Sequence, residues 1–135
     1  MALQKEPRIL AGVNLDGSTY PGMNNDLRPI ALHKPYLFLV TPEHAAEPAT
    51  QVREFVGSPG NSYYAVLHGA DHMSFTDKRL VVDRFSRKVP PDDKAFEGAL
   101  LRVERTRSLV EQFFGRYLKG TPAPELDSAA RIEKK

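Results

Sequence analysis

Three short apolar runs mark the first half of the chain, each stopped by glycine, proline or a turn-forming polar residue. Residues 9–15 read Ile-Leu-Ala-Gly-Val-Asn-Leu and end at Asp16-Gly17-Ser18. Residues 36–40 read Tyr-Leu-Phe-Leu-Val, opened by Pro35 and closed by Thr41-Pro42. Residues 62–68 read Ser-Tyr-Tyr-Ala-Val-Leu-His and stop at Gly69. Each is almost continuously apolar rather than alternating, which predicts strands in the middle of a sheet covered on both faces. The flanking Gly and Pro supply the turn chemistry that ends them.

Helical spacing takes over between and after these runs. Within residues 47–56, Ala49, Val52, Phe55 and Val56 recur at intervals that predict a short crossover helix. Strand, helix, strand in that order implies parallel strands joined by right-handed crossovers. A longer helix is predicted from about Pro90-Pro91-Asp92-Asp93, where prolines stop the preceding segment and aspartates suit a helix N-terminus. Val103, Leu109, Val110, Phe113, Phe114, Tyr117 and Leu118 then form an apolar stripe, with Arg102, Glu104, Arg105, Arg107, Glu111 and Arg116 largely on the other side. Lys119-Gly120 is a stop, and Thr121-Pro122-Ala123-Pro124 follows. The pattern predicts an α/β fold: a partial parallel sheet of about three strands with flanking helices over residues 1–120, and a mobile tail over 121–135. Such a sheet leaves an edge that invites pairing, so the order reads as the end of a longer α/β sheet.

Composition narrows the classes. At 135 residues, 41% hydrophobic and 27% charged, the chain has the makeup of one ordinary folded domain. A net charge of +2, with Lys and Arg spread along the chain, argues against a nucleic-acid partner; the basic ending Arg131-Ile132-Glu133-Lys134-Lys135 reads as a solvated tail. There is no cysteine, which removes disulfides, thiolate metal sites and cysteine nucleophiles and leaves the compartment open. No apolar run approaches the ~20 residues of a membrane span, and the first residues lack a signal core, so any secretion signal is expected upstream.

The candidate chemistry lies in two loops that follow strands. In open α/β sheets, reactive groups gather at the carboxyl ends of the strands. Asp16 closes the first run in Asn14-Leu15-Asp16-Gly17, and His72 follows the third in Gly69-Ala70-Asp71-His72. An imidazole can take the proton of a serine hydroxyl and return it to the leaving group, while a carboxylate on its other nitrogen fixes the tautomer. Glu43, in Thr41-Pro42-Glu43-His44 after the second run, is the alternative acid. Asp16 taken alone is a turn residue, and His72 taken alone is a loop histidine. Ser18 and Ser74 read as local hydrogen-bonding residues. His68 and His72 have the spacing of a helical zinc pair, but Gly69 directly after a strand argues against a helix there, so no metal and no cofactor is expected.

These residues carry a family resemblance. Residues 11–77 resemble the C-terminal part of platelet-activating-factor acetylhydrolase-like and dienelactone-hydrolase-like serine esterases of the α/β-hydrolase class. Asn14-Leu15-Asp16 with Pro21 after it is similar to that group's acid segment, and Gly69-Ala70-Asp71-His72-Met73-Ser74-Phe75-Thr76-Asp77 matches its Gly-x-x-His-x-x-Phe-x-Asp context. Phe113-Phe114-Gly115-Arg116-Tyr117-Leu118-Lys119-Gly120 is similar to its terminal helix. The resemblance implies the C-terminal half of an α/β-hydrolase fold, with Asp16 and His72 as catalytic acid and base for a small ester or lipid-like substrate, in the chain order nucleophile, acid, histidine. The departure is the nucleophile: no Gly-x-Ser-x-Gly occurs in the 135 residues, and Gly57-Ser58-Pro59-Gly60 has turn chemistry between acid and histidine. The chain is therefore expected to be inactive alone, with an N-terminal hydrolase half as partner or a homodimer through the open sheet edge. The rival expectation is a non-catalytic α/β remnant domain that binds a partner or self-associates.

Overall fold

The middle one of the three apolar runs becomes the centre of the sheet. The structure, a computed structural model, describes residues 2–17, 33–46, 61–86 and 94–128. Strand β2 (Tyr36–Val40) lies between β1 (Gly12–Leu15) and β3 (Ser62–Val66), and all three run parallel. The register sets Val13 beside Leu37 and Tyr63, and Asn14 beside Phe38 and Tyr64. Side chains alternate across a strand, so each row belongs to one face. The mixed α/β architecture with a three-stranded parallel sheet follows the sequence expectation.

Two strands are shorter than their apolar runs. Ile9 and Leu10 lie outside β1 and are exposed, with the Ile9 amide bonded back to Glu6 O at 3.2 Å in a turn. At the other end, the Leu67 amide reaches Val40 O at 2.9 Å, after which His68 and Gly69, the latter at φ 73°, turn the chain off the sheet.

Five α-helices are described: α1 (Ala2–Lys5), α2 (Pro42–Ala46), α3 (Lys78–Val81), α4 (Lys94–Phe114) and α5 (Pro124–Ser128). The last turn of α4 widens over Gly115–Lys119 and stops at Gly120, at φ 71°. Leu109 and Phe113 of α4 pack with Leu37, Leu39 and Tyr63 on one sheet face, the Phe113 ring meeting Tyr63 edge-on at 6.2 Å. Leu3 of α1 packs with Phe38 and Val40 on the other face, with Ala45 of α2 beside them. Leu118, assigned to the stripe by spacing, is exposed instead. The expected crossover helix over 47–56, the proline-rich helix start at 90–93, Ser18, Pro21 and the Gly57–Gly60 turn lie outside the described residues.

The segment expected to be a mobile tail departs from that reading over its first half. After Gly120 the chain turns back, and Ala123 and Leu126 of the α5 region enter the main core at 1% and 0% exposure. Arg116 explains why. Its guanidinium forks onto the Asp127 carboxylate, with Nη2 at 2.7 Å from Oδ2, while Nη1 also donates to the Tyr63 hydroxyl at 3.0 Å. Pro122 and Pro124 suggested a loose linker, but a planar cation holding both the sheet and the returning helix closes it down. Residues 129–135 lie outside the described part.

If α5 is part of the core, Leu126→Ala should lower unfolding free energy by about 2–5 kcal/mol in urea denaturation, the cost of emptying a fully buried leucine site. A loss below about 0.5 kcal/mol, the size of an ordinary surface substitution, would mean that α5 is undocked.

Candidate functional site

The site is built from the residue that ends β1. Asn14 clamps the following turn, accepting the Gly17 amide on Oδ1 and donating from Nδ2 to Gly17 O at 3.2 Å. A Cβ on Gly17 would come within 2.7 Å of Asn14 Oδ1, so the clamp closes tightly only on glycine. Within it Asp16 adopts φ 54°, a left-handed conformation that aspartate tolerates better than bulkier residues. Its amide is held by Leu39 O at 2.8 Å, and its side chain is turned inward to 1% exposure.

Three donors converge on that carboxylate. The Thr41 amide donates to Oδ1 at 2.8 Å, His44 Nδ1 lies 2.7 Å from the same oxygen, and His72 Nδ1 lies 2.9 Å from Oδ2. The carboxylate and its donors come from three places: Asp16 at the end of β1, Thr41 and His44 after β2, and His72 after β3. Parallel pairing is what delivers all of them to one rim. An ionised carboxylate only accepts, so each imidazole carries its proton on Nδ1 and turns Nε2 away from Asp16.

Local sequence positions each histidine. Thr41 caps α2, its Oγ1 accepting the His44 amide at 3.1 Å, and Pro42 occupies the first helical position. His72 opens a single tight turn, His72–Phe75, secured by Ser74: its Oγ accepts the Asp71 amide at 3.0 Å and donates to Asp71 Oδ1 at 2.8 Å. Ser74 is buried at 4% exposure, in the local bonding role its context predicts.

Burial alone would push the Asp16 carboxyl up. The Thr41 amide, His72 and His44, the last also through its charge, outweigh that and hold it below the ordinary value of 3.8. The two rings differ in access. The His44 side chain is 24% exposed and that of His72 is 70%, so His72 Nε2 is the one open to a reacting partner.

Asp16 and His72 are thus brought together. Glu43 is not: it is exposed at the second position of α2, while the carboxylate that meets His72 is that of Asp16. Sequence reading missed His44 and Thr41. The signal was present in Thr41-Pro42-Glu43, a helix start directly at a strand end, because capping residue and third helical residue share a face. Among the described residues no group of three or more His, Asp or Glu side chains is arranged to hold a metal ion. His68 is exposed and lines a separate groove of about 650 Å³ between β3, α4 and α5, which includes none of Asp16, His44 and His72. No described helix is long and apolar enough to cross a membrane.

No family model, curated protein or solved structure matches this chain.

A carboxyl whose pKa is lowered by folding stabilises the folded state above its unfolded value and loses that contribution as pH falls through its lower folded value. Stability should therefore fall on acidification below pH 3.8, and the ¹³C titration of the Asp16 carboxyl should have its midpoint below that value. A midpoint at or above it would contradict the three-donor account.

Proposed function

We propose that this chain carries the acid and histidine of a serine carboxylic-ester hydrolase of the α/β-hydrolase class, and that it works with a nucleophile-bearing segment outside these 135 residues. The observation that carries the reading is the Asp16–His72 contact of 2.9 Å at the carboxyl ends of parallel strands, with the acid buried and the histidine open. Charge and geometry suit the chemistry. With its Nδ1 proton held by Asp16, neutral His72 presents an Nε2 lone pair, which would accept the proton of a serine hydroxyl as that oxygen attacks the ester carbonyl. The imidazolium so formed lies against a carboxylate that stays ionised, and it returns the proton from Nε2 to the departing alkoxide.

The exposure of His72 sets a requirement on this reading. Acid–base histidines work best in sites that exclude water, and the His72 side chain is 70% exposed, so the partner segment has to cover it. An N-terminal half that brings a Gly-x-Ser-x-Gly turn and an oxyanion hole would do so. The substrate class in this reading is a small acyl or lipid-like ester, taken from the resemblance of the Asp16 and His72 segments, and no cofactor takes part.

Alone, the chain should not hydrolyse a short-chain nitrophenyl ester above the buffer rate. Supplied in trans with an upstream hydrolase half containing the serine turn, it should restore hydrolysis, and His72→Ala should remove it by roughly 10⁴-fold or more. Hydrolysis that survives His72→Ala would overturn the assignment. A reconstituted, folded complex without activity would favour a non-catalytic remnant.

A further inference from the structure

One carboxylate serving two histidines is more than an acid–histidine pair requires. His44 binds Asp16 Oδ1 at 2.7 Å, the shorter of the two imidazole contacts, and the Thr41 amide completes that oxygen at 2.8 Å. His72 is left as the side chain on Oδ2. The His44 ring is also the better sheltered of the two, and its own backbone is fixed by the Thr41 hydroxyl.

From this arrangement we infer that His44 is a positioning residue for the acid–base centre: its Nδ1–H pins Asp16 Oδ1, so that Oδ2 faces His72 in one orientation with reduced basicity. The catalytic meaning rests on the hydrolase reading above, but the coupling itself does not. Two effects follow from the shared anion. A rotating carboxylate would offer His72 either oxygen, whereas a carboxylate held at Oδ1 by two N–H donors offers one. Charge drawn toward Thr41 and His44 leaves less negative charge on Oδ2 for the His72 ring. The titratable side chains concerned are Asp16 at the end of β1, His44 on α2 with exposed Glu43 beside it, and His72 after β3 with Asp71, bonded to Ser74, before it.

The test is a pH titration of the imidazole resonances of the full chain by NMR, in the unmodified protein, His44→Ala and His44→Asn. Asparagine places a neutral N–H donor close to where Nδ1 stood. Removing His44 should raise the His72 midpoint by about half a unit or more, since the freed carboxylate then holds the imidazolium more tightly, and His44→Asn should bring it back at least halfway. No shift in a folded His44→Ala protein, or a shift that His44→Asn leaves untouched, overturns the inference. Should His44→Ala fail to fold, the unmodified protein still decides. Two rings on one carboxylate should each show an inflection at the other's midpoint, and two simple independent curves would refute the coupling. Failure of the hydrolase reading is read separately, as a reconstituted complex that binds its partner half but leaves the nitrophenyl ester intact.

Discussion

The described rim is organised by one buried anion. Asp16 is almost fully withdrawn from water, and an unpaired carboxylate there would carry a large desolvation cost. Three donors offset that cost: a backbone amide at the end of β2, a histidine on α2 directly after it and a histidine after β3. Residues 28 and 56 positions away in sequence are thereby tied to the end of β1. The carboxylate anchors loops as much as it prepares a reaction.

That arrangement depends on the sheet being parallel. Antiparallel neighbours would send Thr41 and His72 to opposite edges, whereas parallel pairing brings the ends of β1, β2 and β3 together. The helices maintain the pairing from both sides, Phe113 and Leu109 pressing on one face and Leu3 on the other. Arg116 then fastens the returning α5 to Tyr63 on β3, so the far end of the chain reinforces the strand that carries His72.

Much of this was legible in the sequence. The apolar runs predicted three strands, the helical spacing between the second and third predicted their parallel order, and the loops after the first and third held Asp16 and His72. Two things were not. His44 is overshadowed in the sequence by the carboxylate beside it: Glu43 offers an alternative acid to Asp16, and only the cap made by Thr41 reveals that its neighbour is the side chain brought to the rim. The docked α5 escaped because Pro122 and Pro124 read as a linker, and nothing local announces that Arg116 will pair with Asp127 eleven positions on. Both misses are tertiary choices between locally equivalent options, which periodicity does not carry.

Both imidazoles can meet one ionised carboxylate only if Nδ1 bears the proton in each. Free neutral imidazole favours the Nε2–H form, so two rings both held as Nδ1–H need a shared acceptor. Long-range ¹H–¹⁵N spectra of the intact chain, recorded at a pH where both rings are neutral, read this directly. The structure requires protonated Nδ1 and bare Nε2 in His44 and His72 alike, reverting in Asp16→Asn. A His72 found in the ordinary Nε2–H form would contradict it, because the nitrogen meant to receive a proton would already hold one.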